Sequence, residues 1–164
     1  MIKAIAAISE ESWVIWDKNR IPWEKNWDKE RFRELIKNQI IIMWRWTYES
    51  LKTYYPKDNG HPWAKKNIIL STTLNKAIWN KKEIEISDNF LDILEKYKWE
   101  TLRVIGGEKT FKTFLPYIDE LYLTLVSWQF PWDSFFPNEY KNYMKILKKE
   151  AWRDEWTRYE TYWR

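Results

Sequence analysis

The stretch LRVIGGEKTFKTFL, residues 102–115, joins a short apolar run, two adjacent glycines and a helical pattern. The apolar run predicts a buried strand, and the apolar residues after the glycines recur at helical spacing until Pro116. Gly106 and Gly107 therefore fall at a strand-to-helix turn, where a backbone without side chains lets a phosphate approach the first amides of the helix. Because the complete G-x-G-x-x-G pattern is absent, this stretch alone favours an ordinary tight turn over a phosphate site.

The composition predicts a single globular domain. A chain of 164 residues, 45% hydrophobic and 32% charged, is long enough for one core, and we assign residues 1–164 to one domain. No apolar run is long enough to span a bilayer, and we expect no signal peptide. The absence of cysteine excludes disulfides and suits a cytoplasmic location. One histidine makes a metal site improbable, and the net charge of +4 favours anionic ligands without selecting one.

Strand-like and helix-like segments alternate along the chain. The pattern predicts strands at residues 2–8, 40–43, 67–71, 82–86, 102–105 and 120–126, and helices at 27–37, 48–54, 88–97 and 110–115. Thr47 and Ser87 are the expected N-caps of the second and third helices. Residues 9–26 are predicted to form an irregular loop that acts as a lid, and residues 143–164 a hairpin. This order predicts an α/β fold with a mixed, mostly parallel sheet.

Ordered motifs across nearly the whole chain resemble the dihydrofolate reductase family. They are IAAIS at 5–9, NRIPW at 19–23, TYESL at 47–51, KNIILS at 66–71, VIGG at 104–107, LYLT at 121–124, and Asp28 followed by Phe32. The resemblance implies a single-domain fold with an eight-stranded sheet and a C-terminal antiparallel hairpin. It also implies NADPH-dependent reduction of 7,8-dihydrofolate to 5,6,7,8-tetrahydrofolate, by hydride transfer to C6 and protonation at N5. The expected partners are dihydrofolate and antifolates, with no nucleic acid or membrane partner, and the expected state is a monomer.

The resemblance also implies a role for each matching residue. The implied catalytic residues are Asp28, Trp23, Thr124 and Ile21, with Asp28 as the carboxylate that hydrogen-bonds the pteridine and promotes its protonation. The implied substrate-binding residues are Ile5, Ala6, Asp28, Phe32, Leu51, Lys65, Ile105 and Thr124. The implied NADPH-binding residues are Ala7, Ile15, Trp44, Arg45, Trp46, Thr47, Ser71, Thr72, Gly106, Gly107, Glu108, Lys109, Thr110 and Phe111.

The chain departs from the family pattern at several of these positions. Lys65 stands where the family has an arginine that holds the glutamate tail of the substrate, so we expect weaker folate binding. Glu108 replaces a glycine and is expected to place a negative charge near the cofactor phosphates. Trp16, Trp44 and Trp132 also replace family glycines. We expect the Trp44 indole to occupy space that NADPH needs, and bulky residues in turns with positive φ to lower stability.

The glycine deficit and the tryptophan excess mirror each other. The chain has 3 glycines and 14 tryptophans, and many of the tryptophans stand at positions where turns favour glycine. We hypothesise that many of them are encoded by UGA codons that the source organism translates as glycine. A deliberately altered sequence is the competing explanation. Coding DNA with UGG at Trp16, Trp44 and Trp132 would exclude the codon hypothesis.

Three other interpretations remain open. The first is a folded but catalytically impaired member of the family, whose cofactor cleft is obstructed by tryptophan. The second is a pyrimidine reductase of riboflavin biosynthesis, which shares the fold; Asp28 with Phe32 and the IPW motif at 21–23 argue against it. The third is a single-stranded nucleic-acid binder that stacks bases on its aromatic side chains. The aromatics follow turns rather than one strand face, which disfavours the third interpretation.

Overall fold

The computed structural model describes residues 1–10, 14–16, 26–55, 60–74, 83–127, 134–150 and 156–164, with the backbone alone for residues 14–16 and 26. Most of the expected lid, residues 9–26, lies outside these ranges, and so do Ile21, Trp23 and Trp132. Within the described ranges, no helix is long and apolar enough to cross a bilayer.

An eight-stranded sheet forms the centre of the molecule. Its strands are β1 (Ile2–Ser9), β3 (Ile40–Trp44), β4 (Lys66–Leu70), β5 (Ile84–Ser87), β6 (Leu102–Gly106), β7 (Glu120–Val126), β9 (Lys145–Lys149) and β10 (Thr157–Trp163). The strands β2 (Val14–Trp16) and β8 (Ser134–Phe135) form a separate two-stranded ribbon. The spatial order of the large sheet is β5-β4-β3-β6-β1-β7-β10-β9. The pairs from β5 to β7 are parallel, whereas β10 is antiparallel to both β7 and β9. The predicted mixed, mostly parallel sheet with a C-terminal antiparallel hairpin is confirmed.

Helices cover the sheet. They are α1 (Asn26–Ile36), α2 (Arg45–Tyr54), α3 (Phe90–Lys96), α4 (Glu108–Phe114), a 3₁₀ turn at Leu115–Tyr117, and the short α5 (Tyr140–Tyr143). The central strands are apolar on both faces because both faces are covered, as β3 shows with four consecutive buried residues. Alternate residues of β3 belong to two separate core clusters: Ile40 and Ile42 to one, Ile41 and Met43 to the other.

Both predicted helix caps are wrong. Helix α2 begins at Arg45 directly after β3, so Thr47 lies inside its first turn and is buried there. Ser87 is the last residue of β5, and the N-cap of α3 is Asn89, whose side chain accepts a hydrogen bond from the Leu91 N–H at 3.0 Å. Ser87 Oγ instead accepts from the Asn89 N–H at 3.2 Å. A hydroxyl after an apolar run suits several turn positions, so its sequence position alone does not identify the cap.

Two further expectations also need correction. Residues 9–26 are not irregular throughout, because β2 pairs antiparallel with β8, more than a hundred residues later in the chain. The expected backbone strain is absent at Trp44, which has φ −79° and ψ 156°, an ordinary extended conformation. Within the described ranges, Asn38 is the one non-glycine residue with positive φ. Trp44 therefore needs no left-handed backbone, and any penalty it causes must come from the volume of its side chain.

Candidate active site

A crevice opens in the sheet at the carboxyl ends of β1 and β6. The register pairs β1 with β6 only at residues 2–4, whereas β1 pairs with β7 as far as Ser9. The two strands therefore part beyond Ala4 and Val104, and the residues that follow them line the opening. In open α/β sheets, a crevice at this end of neighbouring parallel strands is the usual position for a ligand.

The crevice is part of a cleft of about 160 Å³ between the sheet and helices α1 and α2. The predicted site residues that line it are Ile5, Ala6, Ala7, Asp28, Phe32, Thr47, Leu51, Ile105, Phe111 and Thr124. The lining residues that the sequence did not predict are Lys29, Arg31, Arg33, Leu35, Tyr54, Tyr55 and His61. Arg31 and Leu35 follow Asp28 at spacings of three and seven, so helical periodicity could have placed them on the same face. Tyr55 and His61 come from the connection after α2, which has no periodic pattern.

Asp28 and Thr124 are the most buried polar side chains that line the cleft from α1 and β7, at 8% and 4% exposure. Asp28 lies in the first turn of α1, and Thr124 pairs across the sheet with Ala7 of β1. A carboxylate in an apolar cleft can accept hydrogen bonds from the N–H groups of a flat heterocycle, and it can hold or pass on a proton. This part of the cleft therefore suits proton transfer to a bound ring.

Arg31 brings a cation next to these two residues. Its Nη1 donates to Thr124 Oγ1 at 3.1 Å and to the Leu123 carbonyl oxygen at 3.4 Å. The guanidinium carbon lies 3.8 Å from the ring centroid of Tyr159 on β10. Burial lowers the pKa of Arg31, and the attraction of Tyr159 and Asp28 opposes that effect. The guanidinium is thus held by an aromatic ring, a carbonyl and a hydroxyl at the wall of the cleft.

Phe32, Tyr55 and His61 line another part of the cleft, and with Trp63, which packs against Tyr55 and His61, they form an aromatic wall. The His61 ring centroid is 5.2 Å from that of Phe32, 5.3 Å from Tyr55 and 5.0 Å from Trp63. His61 is 3% exposed, and its Nδ1 has no hydrogen-bond partner among the described residues. Burial, and secondarily the charge of Arg33, lower the pKa of His61 to about 4. The histidine is therefore a neutral, buried ring at neutral pH.

Arg33 and Lys65 lie in different positions relative to the cleft. The Arg33 guanidinium carbon lies 4.5 Å from the Trp63 ring centroid, and Arg33 lines the cleft. Lys65 does not line the cleft: its Nζ is 3.9 Å from the Glu100 carboxylate, and its side chain is 60% exposed. The structure therefore separates Lys65 from the other predicted substrate residues and places Arg33 among them.

A polar cluster gathers where α2 begins and β4 ends. Arg45 donates from Nη1 to Thr73 Oγ1, and its Nε lies 3.3 Å from the Glu49 carboxylate. Ser71 Oγ accepts from the Thr73 N–H at 3.2 Å. The predicted Arg45 and Ser71 are thus brought together, but Thr73 supplies the hydroxyl that Arg45 contacts, while Thr72 is exposed beside it. An arginine among hydroxyls and backbone amides suits a phosphate group.

The glycine turn, residues 106 and 107, lies beside a second pair of hydroxyls, those of Thr47 and Thr110. The peptide bond between Gly106 and Gly107 is cis, and Gly106 has φ 131°. A Cβ added to Gly107 would lie 3.3 Å from Thr47 Oγ1, so a side chain there would crowd the threonine. Thr110 is fully buried, and its Oγ1 has no hydrogen-bond partner among the described residues. A bare backbone next to an unpaired buried hydroxyl fits a bound polar group such as a phosphate.

Trp44 and Glu108, which depart from the family pattern, each contact other side chains or backbone groups near this turn. Lys109 Nζ lies 4.1 Å from the ring centroid of Trp44, whose half-buried indole also packs against the core. Glu108 accepts from the Phe135 N–H at 3.1 Å and from Lys112 Nζ at 2.6 Å. Burial alone would raise the pKa of Glu108, but these hydrogen bonds outweigh it and lower the pKa. The charge of Glu108 is therefore compensated by its neighbours.

Some predicted residues lie outside the cleft or outside the described residues. Trp46 is 59% exposed, with the Arg45 guanidinium carbon 5.5 Å from its ring centroid. The structure describes neither Ile21 and Trp23 nor the side chain of Ile15. The predicted residues that do not line the cleft are Trp44, Arg45, Trp46, Lys65, Ser71, Thr72, Gly106, Gly107, Glu108, Lys109 and Thr110. In the described part of the chain, no three potential metal-ligating side chains form a cluster.

Sequence comparison identifies relatives of the whole chain. The family model for dihydrofolate reductase matches residues 1–164. The dihydrofolate reductase of Buchnera aphidicola subsp. Acyrthosiphon pisum is 37% identical over 145 residues, which cover 87% of this chain and 81% of the relative. That of Buchnera aphidicola subsp. Schizaphis graminum is 33% identical over 158 residues, or 94% of this chain and 91% of the relative. The Haemophilus influenzae enzyme is 32% identical over 149 residues, covering 89% and 80%.

Structural comparison supports the same fold. Dihydrofolate reductase from Enterococcus faecalis, solved as a complex with NADP(H) and RAB-propyl, superposes with a TM-score of 0.85. The match covers 100% of this chain and 96% of that one, at 24% sequence identity. The likeness shows that the two chains share one fold.

Proposed function

The chain belongs to the dihydrofolate reductase family of oxidoreductases, and from that premise we propose that it reduces 7,8-dihydrofolate to 5,6,7,8-tetrahydrofolate with NADPH. The observation that carries the proposal is the cleft that holds Asp28 and Thr124 buried beside the apolar side chains of Phe32 and Ile105. Such a cleft offers a flat pteridine both apolar walls and one carboxylate. The same contacts make antifolates, which imitate the pteridine, the expected inhibitors.

The apolar residues position the substrate. Ile5 and Ala6 from β1, Phe32 from α1, Leu51 from α2 and Ile105 from β6 would pack on the pteridine and the ring that follows it. Their packing excludes water, which strengthens every polar interaction inside the cleft. Substrate orientation is therefore the first contribution of these side chains to the rate.

Asp28 is the residue to which we assign the protonation of the substrate. Its carboxylate would accept hydrogen bonds from the 2-amino group and N3 of the pteridine, and would promote protonation at N5, directly or through water. The Thr124 hydroxyl would complete this hydrogen-bond network. Trp23 and Ile21, which lie outside the described residues, keep the roles that the family resemblance implies. Catalysis by this chain thus depends on one buried carboxylate and on the groups that hold it and its ligand in place.

The residues around the polar cluster and the glycine turn fit NADPH. Arg45, with Ser71 and Thr72, would bind the 2′-phosphate, because an arginine among hydroxyls suits a phosphate monoester. The bare backbone at Gly107 and the unpaired hydroxyl of Thr110 would receive the pyrophosphate. Ala7, at the crevice, would contact the nicotinamide. When bound, NADPH supplies the hydride that is transferred to C6.

A spectrophotometric assay tests the proposed function. We expect the NADPH absorbance to fall when dihydrofolate is added, and a 2,4-diaminopteridine antifolate to stop the reaction. Thermal stabilisation by the antifolate without any turnover would instead indicate an intact substrate cleft and a blocked cofactor site. Absence of turnover would contradict the proposed reduction, and failure to bind the antifolate as well would contradict the proposed substrate cleft.

The obstructed cofactor cleft is a second candidate, because the Trp44 indole stands with Lys109 where the family has glycine. If the indole takes up cofactor space, replacing Trp44 by Gly will tighten NADPH binding about tenfold, or by about 1.4 kcal/mol. Titration calorimetry with NADPH measures the change. Trp99→Gly is the matched control, because Trp99 is 91% exposed and lies outside the site. Equal NADPH affinity in Trp44→Gly and the parent chain would show that the indole does not obstruct the cofactor.

The positions of Arg33 and Lys65 give a prediction about the glutamate tail of the substrate. Arg33 lines the cleft, whereas Lys65 is turned to Glu100, so Arg33→Leu should raise KM for dihydrofolate about tenfold through loss of a charge-assisted hydrogen bond. Lys65→Leu should change KM less than about twofold. Steady-state kinetics with dihydrofolate and with dihydropteroate, which lacks the glutamate, measure both effects. If Lys65→Leu has the larger effect on KM for dihydrofolate, the tail binds as the family pattern implied.

A further inference from the structure

Arg31 is a half-buried charged group that lines the cleft, and the proposed reaction assigns it no role. It lies three residues after Asp28 on α1, so both side chains project from the same face of the helix and line the cleft. The family resemblance gave no function to this position. A guanidinium at such a place influences any step that moves a proton or a charge nearby.

The hydrogen bond from Arg31 determines how the Thr124 hydroxyl can be used. A threonine hydroxyl has one hydrogen to donate and two lone pairs to accept with. Because Arg31 Nη1 donates to Thr124 Oγ1 at 3.1 Å, one lone pair is occupied and the hydroxyl hydrogen is left for an acceptor other than Arg31. Arg31 is itself held by the Leu123 carbonyl and the Tyr159 ring, so the hydroxyl is oriented by a fixed group.

Groups from several elements face Arg31. They are the carboxyl groups of Glu150, which follows β9, and Asp28 on α1, and the phenol groups of Tyr159 on β10 and Tyr122 on β7. Burial lowers the pKa of the guanidinium and these neighbours raise it, but an arginine keeps its proton throughout the working range. The wall of the cleft beside Asp28 thus carries a permanent positive charge.

We propose that Arg31 is a positioning residue for the protonation step: it orients the Thr124 hydroxyl, and its charge opposes the arrival of a second positive charge in the cleft. This inference rests on the proposed function. Protonation at N5 makes the bound dihydrofolate cationic, and a nearby guanidinium disfavours that form. The pH at which the rate reaches half its maximum is therefore lower than it would be without Arg31.

Two variants separate the charge of Arg31 from its packing. Arg31→Gln removes the charge and keeps a hydrogen-bond donor, whereas Arg31→Lys keeps the charge. In single-turnover measurements of hydride transfer, we expect the midpoint of the pH–rate profile to rise by about one unit in Arg31→Gln and to stay within about 0.3 unit in Arg31→Lys. Lys37→Gln is the control, because it removes the same positive charge at an exposed position just after α1. An unchanged midpoint in Arg31→Gln would overturn the proposal, even if its rate or stability falls.

A binding measurement tests the same proposal without catalysis. A 2,4-diaminopteridine antifolate is basic and becomes cationic beside a carboxylate, so the Arg31 charge should weaken its binding. We expect it to bind Arg31→Gln about tenfold more tightly than the parent chain at neutral pH, and Arg31→Lys with parental affinity. Equal or weaker binding by Arg31→Gln would overturn the inference. Absence of dihydrofolate reduction in the parent chain would instead contradict the proposed function, while the antifolate titration still decides the role of Arg31.

Discussion

Replacing Asp28 by asparagine lowers kcat/KM for dihydrofolate by about 10²- to 10⁴-fold at neutral pH, the range for loss of a general acid or base. The amide keeps the size of the carboxylate but holds no negative charge and cannot pass on a proton. Asp28 is buried in the substrate part of the cleft, whereas the proposed phosphate-binding residues lie around Arg45 and Gly107. NADPH affinity should therefore stay nearly unchanged. Initial rates with dihydrofolate and a separate NADPH titration measure the two effects.

Glu30→Gln is the matched control for this variant. Glu30 lies on the same helix, is exposed and does not line the cleft, so its replacement changes the charge of α1 without touching the substrate. We expect its activity to stay within about twofold of the parent chain. If Asp28→Asn retains more than about one tenth of the parental kcat/KM, another group supplies the proton.

We expect acidification from pH 7 to pH 4.5 to reduce the free energy of unfolding by about 2–3 kcal/mol, because His61 binds a proton more readily in the unfolded chain. The pKa of this histidine falls from 6.5 to about 4 on folding, mainly because it is buried and secondarily because Arg33 is near. Between these two values the unfolded chain binds a proton that the folded chain does not. The contribution is therefore fully present above pH 6.5 and is lost as the pH falls toward 4.

Urea unfolding at a series of pH values measures this effect. His61→Gln should flatten the dependence between pH 6.5 and 4.5, because a glutamine does not titrate. The pKa values of three glutamates also lie below their ordinary value of 4.5: Glu85, Glu108 and Glu120. Their contribution to the free energy of unfolding is lost mainly at lower pH, and the His61→Gln variant retains it. If His61→Gln retains the full loss of stability between pH 6.5 and 4.5, another group causes it.

The errors in the sequence-based predictions have a common origin. Short-range pattern predicts Thr47 and Ser87 as caps, yet Thr47 is turned toward the glycine turn that follows another strand, and Ser87 ends a strand paired to β4. Likewise, β2 exists because β8 pairs with it from a distant part of the chain. In each case the deciding contact joins residues far apart in sequence, which local propensity does not detect.

The amino-acid sequence by itself determined the order of the strands and helices apart from β2, β8 and α5, and the mixed, mostly parallel sheet, while the family resemblance implied that Asp28 and Thr124 share one site. Apolar periodicity and ordered motifs carry that information locally. The tertiary structure alone decided which charges enter the cleft. Arg31 and Arg33 line it, Lys65 is turned to Glu100, and Glu108 is compensated by Lys112 and the Phe135 amide. These outcomes depend on burial and on neighbours from other elements, and such long-range contacts set the electrostatics of a site.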